Sequence, residues 1–287
     1  MGNSVDPGPL IRKYSQACVE RNGRRAMVIS LRRIRSIAAQ TGLLPLDVEI
    51  SCLEKSVIPM RYLRNMGTIG IDGQLKLLRS RVVVCGAGGL GATMLELLAR
   101  QGIGHLVIID NGRFEENNLN RQITCSEADL RKSKVKVAAQ RVKSINSAVA
   151  VTPVNRFMDC DNIEGFIKGA DVVLDGLDSL ATRLSVAGAC DKMKIPFVHG
   201  AIAGFSGQIM TILPGDKGLA AVYGAASQKC TYGVEAITGN PAATPAIIAA
   251  WEVQEAVKII TGTGNPIRNR LVFLDFAECI MEEIPLV

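Results

Sequence analysis

From residue 81 onward, short apolar runs rich in β-branched residues alternate with longer amphipathic ones, reading in turn as strands and helices. The spacing predicts strands over 82–85, 106–110, 150–153, 171–175 and 197–200, separated by helices over 92–101, 132–145, 162–167 and 180–193. Strand and helix in regular succession imply an α/β fold: a doubly wound, mostly parallel sheet, with ligand at the carboxyl ends of its strands. Past residue 202 the grammar changes. A strand over 208–213 is expected to run antiparallel, and residues 214–246 are rich in Gly, Ala, Thr and Pro without a clear period. Such a stretch inside a domain is usually a functional crossover or a mobile loop. A helix returns over 247–261, and 271–276 with 278–284 reads as a closing antiparallel hairpin.

The front of the chain follows a different pattern. Residues 1–8 read as a tail containing glycine and proline, followed by helical periods over 10–21 and 25–41, with Gly42 ending the second. The run IAAQTGLLPLDVEISCLE, residues 37–54, has the outline of a helix, a turn and a helix. With the neighbouring arginines it opens a DNA-binding reading, but helix pairs joined by a glycine turn are also ordinary packing units. The expected organisation is a small helical N-terminal extension over 1–57 and a main domain over 58–287, with no internal repeat.

Composition narrows the function classes. A chain of 287 residues, 48% hydrophobic and 21% charged, can bury one substantial core. No apolar run is long and uninterrupted enough for a bilayer span, and residues 1–47 hold no signal-peptide core, so a cytoplasmic protein without membrane association is expected. The eight cysteines lie 30 or more residues apart, which argues against a zinc ribbon and against a disulfide framework. Only His105 and His199 are present, each in or beside a strand, so both are expected to be packed or hydrogen-bonded rather than catalytic. The net charge of +6 is concentrated in residues 1–55, which carry +4 of it. Aromatic residues are not interleaved with those cations, so nucleic acid is not the expected partner.

The most telling stretch is RVVVCGAGGLGATMLELLARQGIGHLVIID, residues 81–110. Gly86, Gly88 and Gly91 match G-x-G-x-x-G between a strand and a helix, and Asp110 closes the next strand, where a ribose hydroxyl needs an acceptor. Glycines let the backbone approach a phosphate, whose charge then faces the helix N-terminus. A nicotinamide dehydrogenase fits the next residues poorly. NNLNRQ brings Asn118 and Arg121, Lys134 opens the following helix, and Arg61 and Arg64 precede the unit. Several convergent cations suit a triphosphate, and Asp178, just past the strand over 171–175, is placed to hold Mg²⁺ against it.

These motifs resemble the MoeB/ThiF/HesA family, adenylyltransferases related to ubiquitin-activating enzymes. The resemblance covers about residues 59–286. It is carried by RYLRNMGTIGIDGQLKLLRSRVVVCGAGGLGA, ID at 109–110, NNLNRQ, KVKVAAQRVKSIN, VVLDGLDS, PFVHGAIAGFSGQI and EAVKIITGTGNPIRNRLVFLD. It implies that Gly86, Gly88, Gly89 and Gly91 line an ATP site and that Asp110 binds the ribose. Asn118, Arg121 and Lys134 would contact the triphosphate, and Asp178 would serve magnesium. Arg64 matches an arginine that reaches into a neighbouring subunit's site, which implies a homodimer. The implied reaction is attack of a carrier protein's C-terminal Gly-Gly carboxylate on the α-phosphate of ATP. The product is an acyl-adenylate, for sulfur transfer to molybdopterin, thiamine or a related product.

Three departures from the family pattern stand out. Where relatives carry two C-x-x-C pairs for zinc, this chain has GDKGLAAVYGAASQ and EEIPLV, so no zinc is expected. DGLDS stands for DxTDN, and Gly112 replaces a second acidic residue. Cys230 lies in the crossover segment, where some relatives have a cysteine that bonds the carrier, but KCTYG offers only one lysine to activate it. The rival readings are a ThiF-like enzyme that adenylates a tRNA base or a peptide, an NAD-dependent oxidoreductase, and a nucleotide-sensing DNA-binding regulator.

Overall fold

Ahead of residue 60 the chain builds a small mixed unit in which local helical periods give way to strand pairing. The structure, a computed structural model, describes residues 6–19, 23–224 and 235–286. Helix α1 (Gly8–Tyr14) ends at Ser15, whose backbone turns extended at ψ 151°. Strands β1 (Gln16–Val19) and β2 (Arg25–Ile29) then pair antiparallel, where the sequence pattern predicts helix. The reason is non-local. Val28 and Ile29 of β2 are buried in two different apolar clusters, one on each side of the strand, and β3 (Val57–Pro59) supplies β2 with a parallel partner. The Ser30 side chain accepts from Arg33 N–H and caps α2 (Leu31–Thr41), which ends at left-handed Gly42 as expected. Helix α3 (Pro45–Glu54) buries Val48, Glu49, Cys52 and Leu53. The front piece thus keeps only part of each expected helix, in α1 and α2, and a three-stranded sheet of order β1-β2-β3 takes residues 16–19 and 25–29, for which the pattern predicts helix.

Helix α4 (Gly70–Arg79), against which α3 packs, introduces the main sheet. Its elements are β4 (Arg81–Cys85), α5 (Gly89–Gln101), β5 (His105–Ile109), α6 (Lys134–Ile145), β6 (Ala150–Val154), α7 (Ile163–Ile167), β7 (Val172–Asp175), α8 (Leu180–Met193) and β8 (Phe197–Ala203). After these come β9 (Ser206–Ile212), α9 (Ala220–Tyr223), α10 (Glu235–Thr238), α11 (Ala243–Thr261), β10 (Arg270–Asp275) and β11 (Ile280–Pro285). The strand order is β11-β10-β9-β8-β7-β4-β5-β6. The five strands from β6 to β8 run parallel, whereas β8 with β9, β9 with β10 and β10 with β11 pair antiparallel. The expected sheet and closing hairpin are present. The irregular stretch 214–246 holds α9, α10 and the first turn of α11 around residues outside the described set.

The central parallel strands β4, β5 and β7 are almost wholly apolar because both of their faces are covered, whereas β6, at the sheet's edge, is largely exposed. Val82 and Val84 point into a core with α5, α6 and α11, while Val83 and Cys85 point into a second core with α7 and α8. The same division separates Leu106 and Ile108 from Val107 and Ile109. Covering both faces leaves the carboxyl edge of the strands as the open rim of the sheet. The front piece attaches elsewhere. Buried Tyr62 donates its hydroxyl to Glu49 Oε2 at 2.9 Å, and Asn146, at the end of α6, donates Nδ2 to Tyr62 Oη at 2.9 Å and to the Ala99 carbonyl at 3.1 Å. Burial raises the Glu49 carboxyl above its ordinary range, and Arg61, 3.6 Å away, opposes the rise.

Candidate active site

At the carboxyl edge, a cavity of about 470 Å³ opens between the turn after β4 and the loops after β5, β6 and β7. Its first wall is the glycine turn. Gly86 adopts φ +94°, and a Cβ there would lie 2.3 Å from the Gly176 carbonyl oxygen. A Cβ on Gly91 would lie 1.9 Å from the Gly86 carbonyl oxygen, so α5 starts directly against the turn only because both positions lack a side chain. Gly86, Gly88 and Gly89 line the cavity, while Gly91 stands behind them. The N-terminal N–H groups of α5 therefore face a space that a phosphate can enter.

Asp110, at the end of β5, lines the cavity and also braces that turn. Its Oδ2 accepts from Ala87 N–H at 2.8 Å and its Oδ1 from Gly112 N–H at 2.6 Å. Each oxygen keeps a lone pair for a ribose hydroxyl. At Gly112 a Cβ would sit 3.0 Å from Asp110 Oδ1 and 3.4 Å from Lys134 Cε, so Lys134, at the start of α6, lies close over this loop.

Asn118 and Arg121 approach from the loop after β5. Buried Asn118 accepts from Glu115 N–H at 3.1 Å, and Arg121 Nη1 donates to the Asn117 carbonyl at 2.8 Å and to Asn120 Oδ1 at 3.0 Å. These contacts hold the guanidinium at the rim. Arg121, Lys134 and Asp178 all line the cavity, with Asp178 exposed and without a hydrogen-bond or ion-pair partner among the described residues. Among the described residues no group of three or more His, Cys, Asp or Glu side chains could hold a metal ion. A lone carboxylate beside a phosphate-binding turn still fits Mg²⁺, which commonly binds through one or two carboxylates together with a substrate's phosphates and water.

Arg64 is placed differently. It sits exposed on the 3₁₀ turn Met60–Asn65 and does not line the cavity. Cys230 lies outside the described residues. Cys125, near Arg121 in sequence, does not line the cavity either, and burial and Asp129 push its thiol up, away from the reactive range.

Sequence reasoning missed several lining residues: Glu115, Gln122, Arg156, Phe157 and Arg183. Arg183 has the widest consequences. It is nearly buried on the first turn of α8, its Nε 2.6 Å from Asp175 Oδ2, and its Nη2 donates to the Leu177 carbonyl at 2.6 Å. Wholly buried His199 meets the same Asp175 oxygen through Nδ1 at 2.7 Å. Burial lowers the His199 pKa and Arg183 adds to the effect, while the bond to Asp175 opposes it, leaving the ring neutral. The packed, hydrogen-bonded role expected of His199 is what the structure shows. A sequence signal for Arg183 existed only as a cation one helical turn past the start of α8, a position normally solvated.

Residues 62–286 match the model of the ThiF family. The SAMP-activating enzyme E1 of Haloferax volcanii is 36% identical over 227 residues, 78% of this chain and 84% of that protein. The molybdopterin-synthase adenylyltransferase of Escherichia coli is 33% identical over 235 residues, 79% of this chain and 92% of that protein. Other relatives are longer, and the chain spans about half of them. Among solved structures, E. coli MccB with ATP superposes with a TM-score of 0.68 at 20% identity, over 88% of this chain and 82% of that one, a likeness of fold.

Proposed function

The chain belongs to the ThiF family, and we propose that it is an ATP-dependent adenylyltransferase that activates the C-terminal Gly-Gly carboxylate of a ubiquitin-like sulfur-carrier protein. One observation carries the reading. A single cavity joins a glycine turn at a helix N-terminus to Asp110, Arg121, Lys134 and Asp178, which is the equipment for a nucleoside triphosphate whose phosphates react. Relatives named for adenylylation or for activating SAMP support that chemistry over hydride transfer.

In the proposed reaction the carrier's terminal carboxylate oxygen attacks the α-phosphorus, the bond to the β-phosphate oxygen breaks, and pyrophosphate departs, leaving an acyl-adenylate. The nucleophile is already ionised near neutral pH, so the site needs no general base, and no histidine is among the residues lining the cavity. The work is positioning and charge neutralisation. Gly86, Gly88 and Gly89 let the backbone approach the phosphates, and Gly91 lets α5 point at them. Asp110 holds the ribose while Asn118, Arg121 and Lys134 meet the triphosphate. Asp178 serves the Mg²⁺ that accompanies ATP and neutralises part of its charge. Arg64, exposed and outside this protomer's cavity, is assigned to the neighbouring subunit's site in a homodimer. A cytoplasmic setting and the division into an extension, residues 1–57, and a catalytic domain, 58–287, belong to the same proposal.

ATP/pyrophosphate exchange with Gly-Gly-ended carriers tests it. Exchange that needs the terminal glycine and vanishes in Arg121→Ala and Asp178→Ala supports the reading. Measurable ATP binding with no exchange for any carrier counts against it.

A further inference from the structure

Asp178 has no hydrogen bond or ion pair of its own among the described residues, so the backbone preceding it decides where its carboxylate stands. That backbone is gripped on both sides. Leu177 N–H donates to Asp175 Oδ1 at 3.0 Å, and the Leu177 carbonyl accepts from Arg183 Nη2 at 2.6 Å. Both grips depend on Asp175, whose other oxygen is shared by Arg183 Nε and His199 Nδ1.

The chain of contacts continues away from the cavity. His199 Nε2 lies 3.1 Å from Tyr223 Oη, on α9, and 3.2 Å from Gln208 Nε2, on β9, while Gln208 Nε2 also contacts Tyr223 Oη. One assignment satisfies the groups in turn: Gln208 donates to Tyr223, the Tyr223 hydroxyl donates to His199 Nε2, and His199 Nδ1–H donates to Asp175. The Tyr223 proton thus keeps His199 in the tautomer that offers Asp175 a donor. Without it only the Gln208 amide, at 3.2 Å, still offers Nε2 a donor, and the hold on this tautomer weakens. Whenever the imidazole proton moves to Nε2, a lone pair on Nδ1 faces the carboxylate, and Asp175 loses one of the contacts that set its orientation.

We propose that Tyr223 and His199 are positioning residues: the contact chain Tyr223–His199–Asp175–Leu177, buried at His199 and Asp175, sets the place of the Asp178 carboxylate and thereby its coupling to the Mg²⁺ carried by ATP. The inference rests on the ATP site described above, though not on the identity of the nucleophile. Neither residue lines the cavity.

The test is the ratio of ATP affinity with and without Mg²⁺, measured by calorimetric titration of the full chain, with thermal melts to confirm folding. Tyr223→Phe is expected to reduce that ratio by about fivefold or more, with Mg²⁺-free ATP affinity unchanged. Asp178→Ala should abolish the ratio. In His199→Asn the amide nitrogen takes the place of Nδ1 and donates to Asp175 whatever Tyr223 does, so adding Tyr223→Phe to that variant should cost nothing further. A wild-type ratio in folded Tyr223→Phe overturns the proposal, as does an equal loss in the His199→Asn background or a ratio that survives Asp178→Ala. Carrier proteins failing to stimulate pyrophosphate exchange, while the Mg²⁺ ratio behaves as stated, would remove the adenylyltransferase reading and leave this one standing.

Discussion

The carboxylate of Asp110 accepts the backbone N–H of Ala87 at 2.8 Å, tying the end of β5 to the glycine turn that follows β4. A residue expected only to meet a ribose is thus also part of the turn that meets the phosphates. Asp110→Asn presents an NH₂ group to one of two backbone donors, Ala87 or Gly112. The variant should lose about 2 kcal/mol of stability, as charged hydrogen bonds to backbone amides do, along with ATP affinity. Urea unfolding beside an ATP titration checks this. An unchanged unfolding midpoint would show that the brace contributes nothing.

Gly91 and Gly188 make a contrasting pair. An Ala at 91 would push its Cβ into the Gly86 carbonyl at 1.9 Å, and both partners are backbone, so α5 must shift and ATP binding should be lost. Gly188 is exposed in the middle of α8 with nothing within 4 Å of its missing Cβ. Gly188→Ala should stabilise the protein by up to about 1 kcal/mol through helix propensity and unfolded-chain entropy. Thermal melts and ATP titrations of the two variants should diverge in opposite directions.

Glu252 of α11 is wholly buried, packed on Gly200 beside Asp175, and neither of its oxygens makes a well-formed hydrogen bond. Burial, reinforced by the Asp175 charge and opposed by Arg183, raises its pKa well above the ordinary range, so it folds as the neutral acid. The sign follows from proton linkage. At low pH both states hold the proton and Glu252 costs nothing. As pH rises through the unfolded value near about 4.3, only the unfolded state ionises, so stability falls by up to about 1.4 kcal/mol per pH unit until the folded value is reached. Glu252→Gln should be close to wild type at acidic pH and more stable at neutral and alkaline pH. Parallel stability curves for the two proteins between acidic and alkaline pH would contradict the assignment.

The front piece is joined to the sheet by buried polar groups far from the cavity edge. Tyr62→Phe removes the donor to Glu49 Oε2 and the acceptor for Asn146, leaving a fully buried carboxyl short of a partner. A stability loss of about 1–3 kcal/mol is expected, with ATP affinity unchanged because the cavity lies at the carboxyl ends of the strands. A Tyr62→Phe variant that weakened ATP binding would mean that the extension and the site are coupled.

Much of this protein could be read from local pattern. The central parallel strands β4, β5 and β7 are apolar on both faces, each glycine of the turn sits at a fixed offset from a strand and a helix, and Asp110, Asn118, Arg121, Lys134 and Asp178 follow strand ends. Their arrival at one edge is therefore a consequence of βαβ topology, which the alternation already specifies. The front piece was legible only in part. Val28 and Ile29 lie next to a strong helical period, and what makes them strand is β3, a partner distant in sequence that no local window contains.

The contacts among the polar groups at and behind the cavity were decided by tertiary structure alone. Asp175, Arg183, His199, Tyr223 and Glu252 come from β7, α8, β8, α9 and α11, and although VVLDGLDS and PFVHGAIAGFSGQI contain Asp175 and His199, no local pattern shows that the five meet. An arginine on a first helical turn or a lone histidine in a strand looks ordinary until folding withdraws both from water. Only then does the cost of an unpaired polar group force each to find a partner. The sequence by itself determined the sheet, the glycine turn and the ring of charged residues at the strand ends, because period and offset are properties of neighbours along the chain. Which of those residues are held in place, and by what, was settled by burial, which depends on the whole fold.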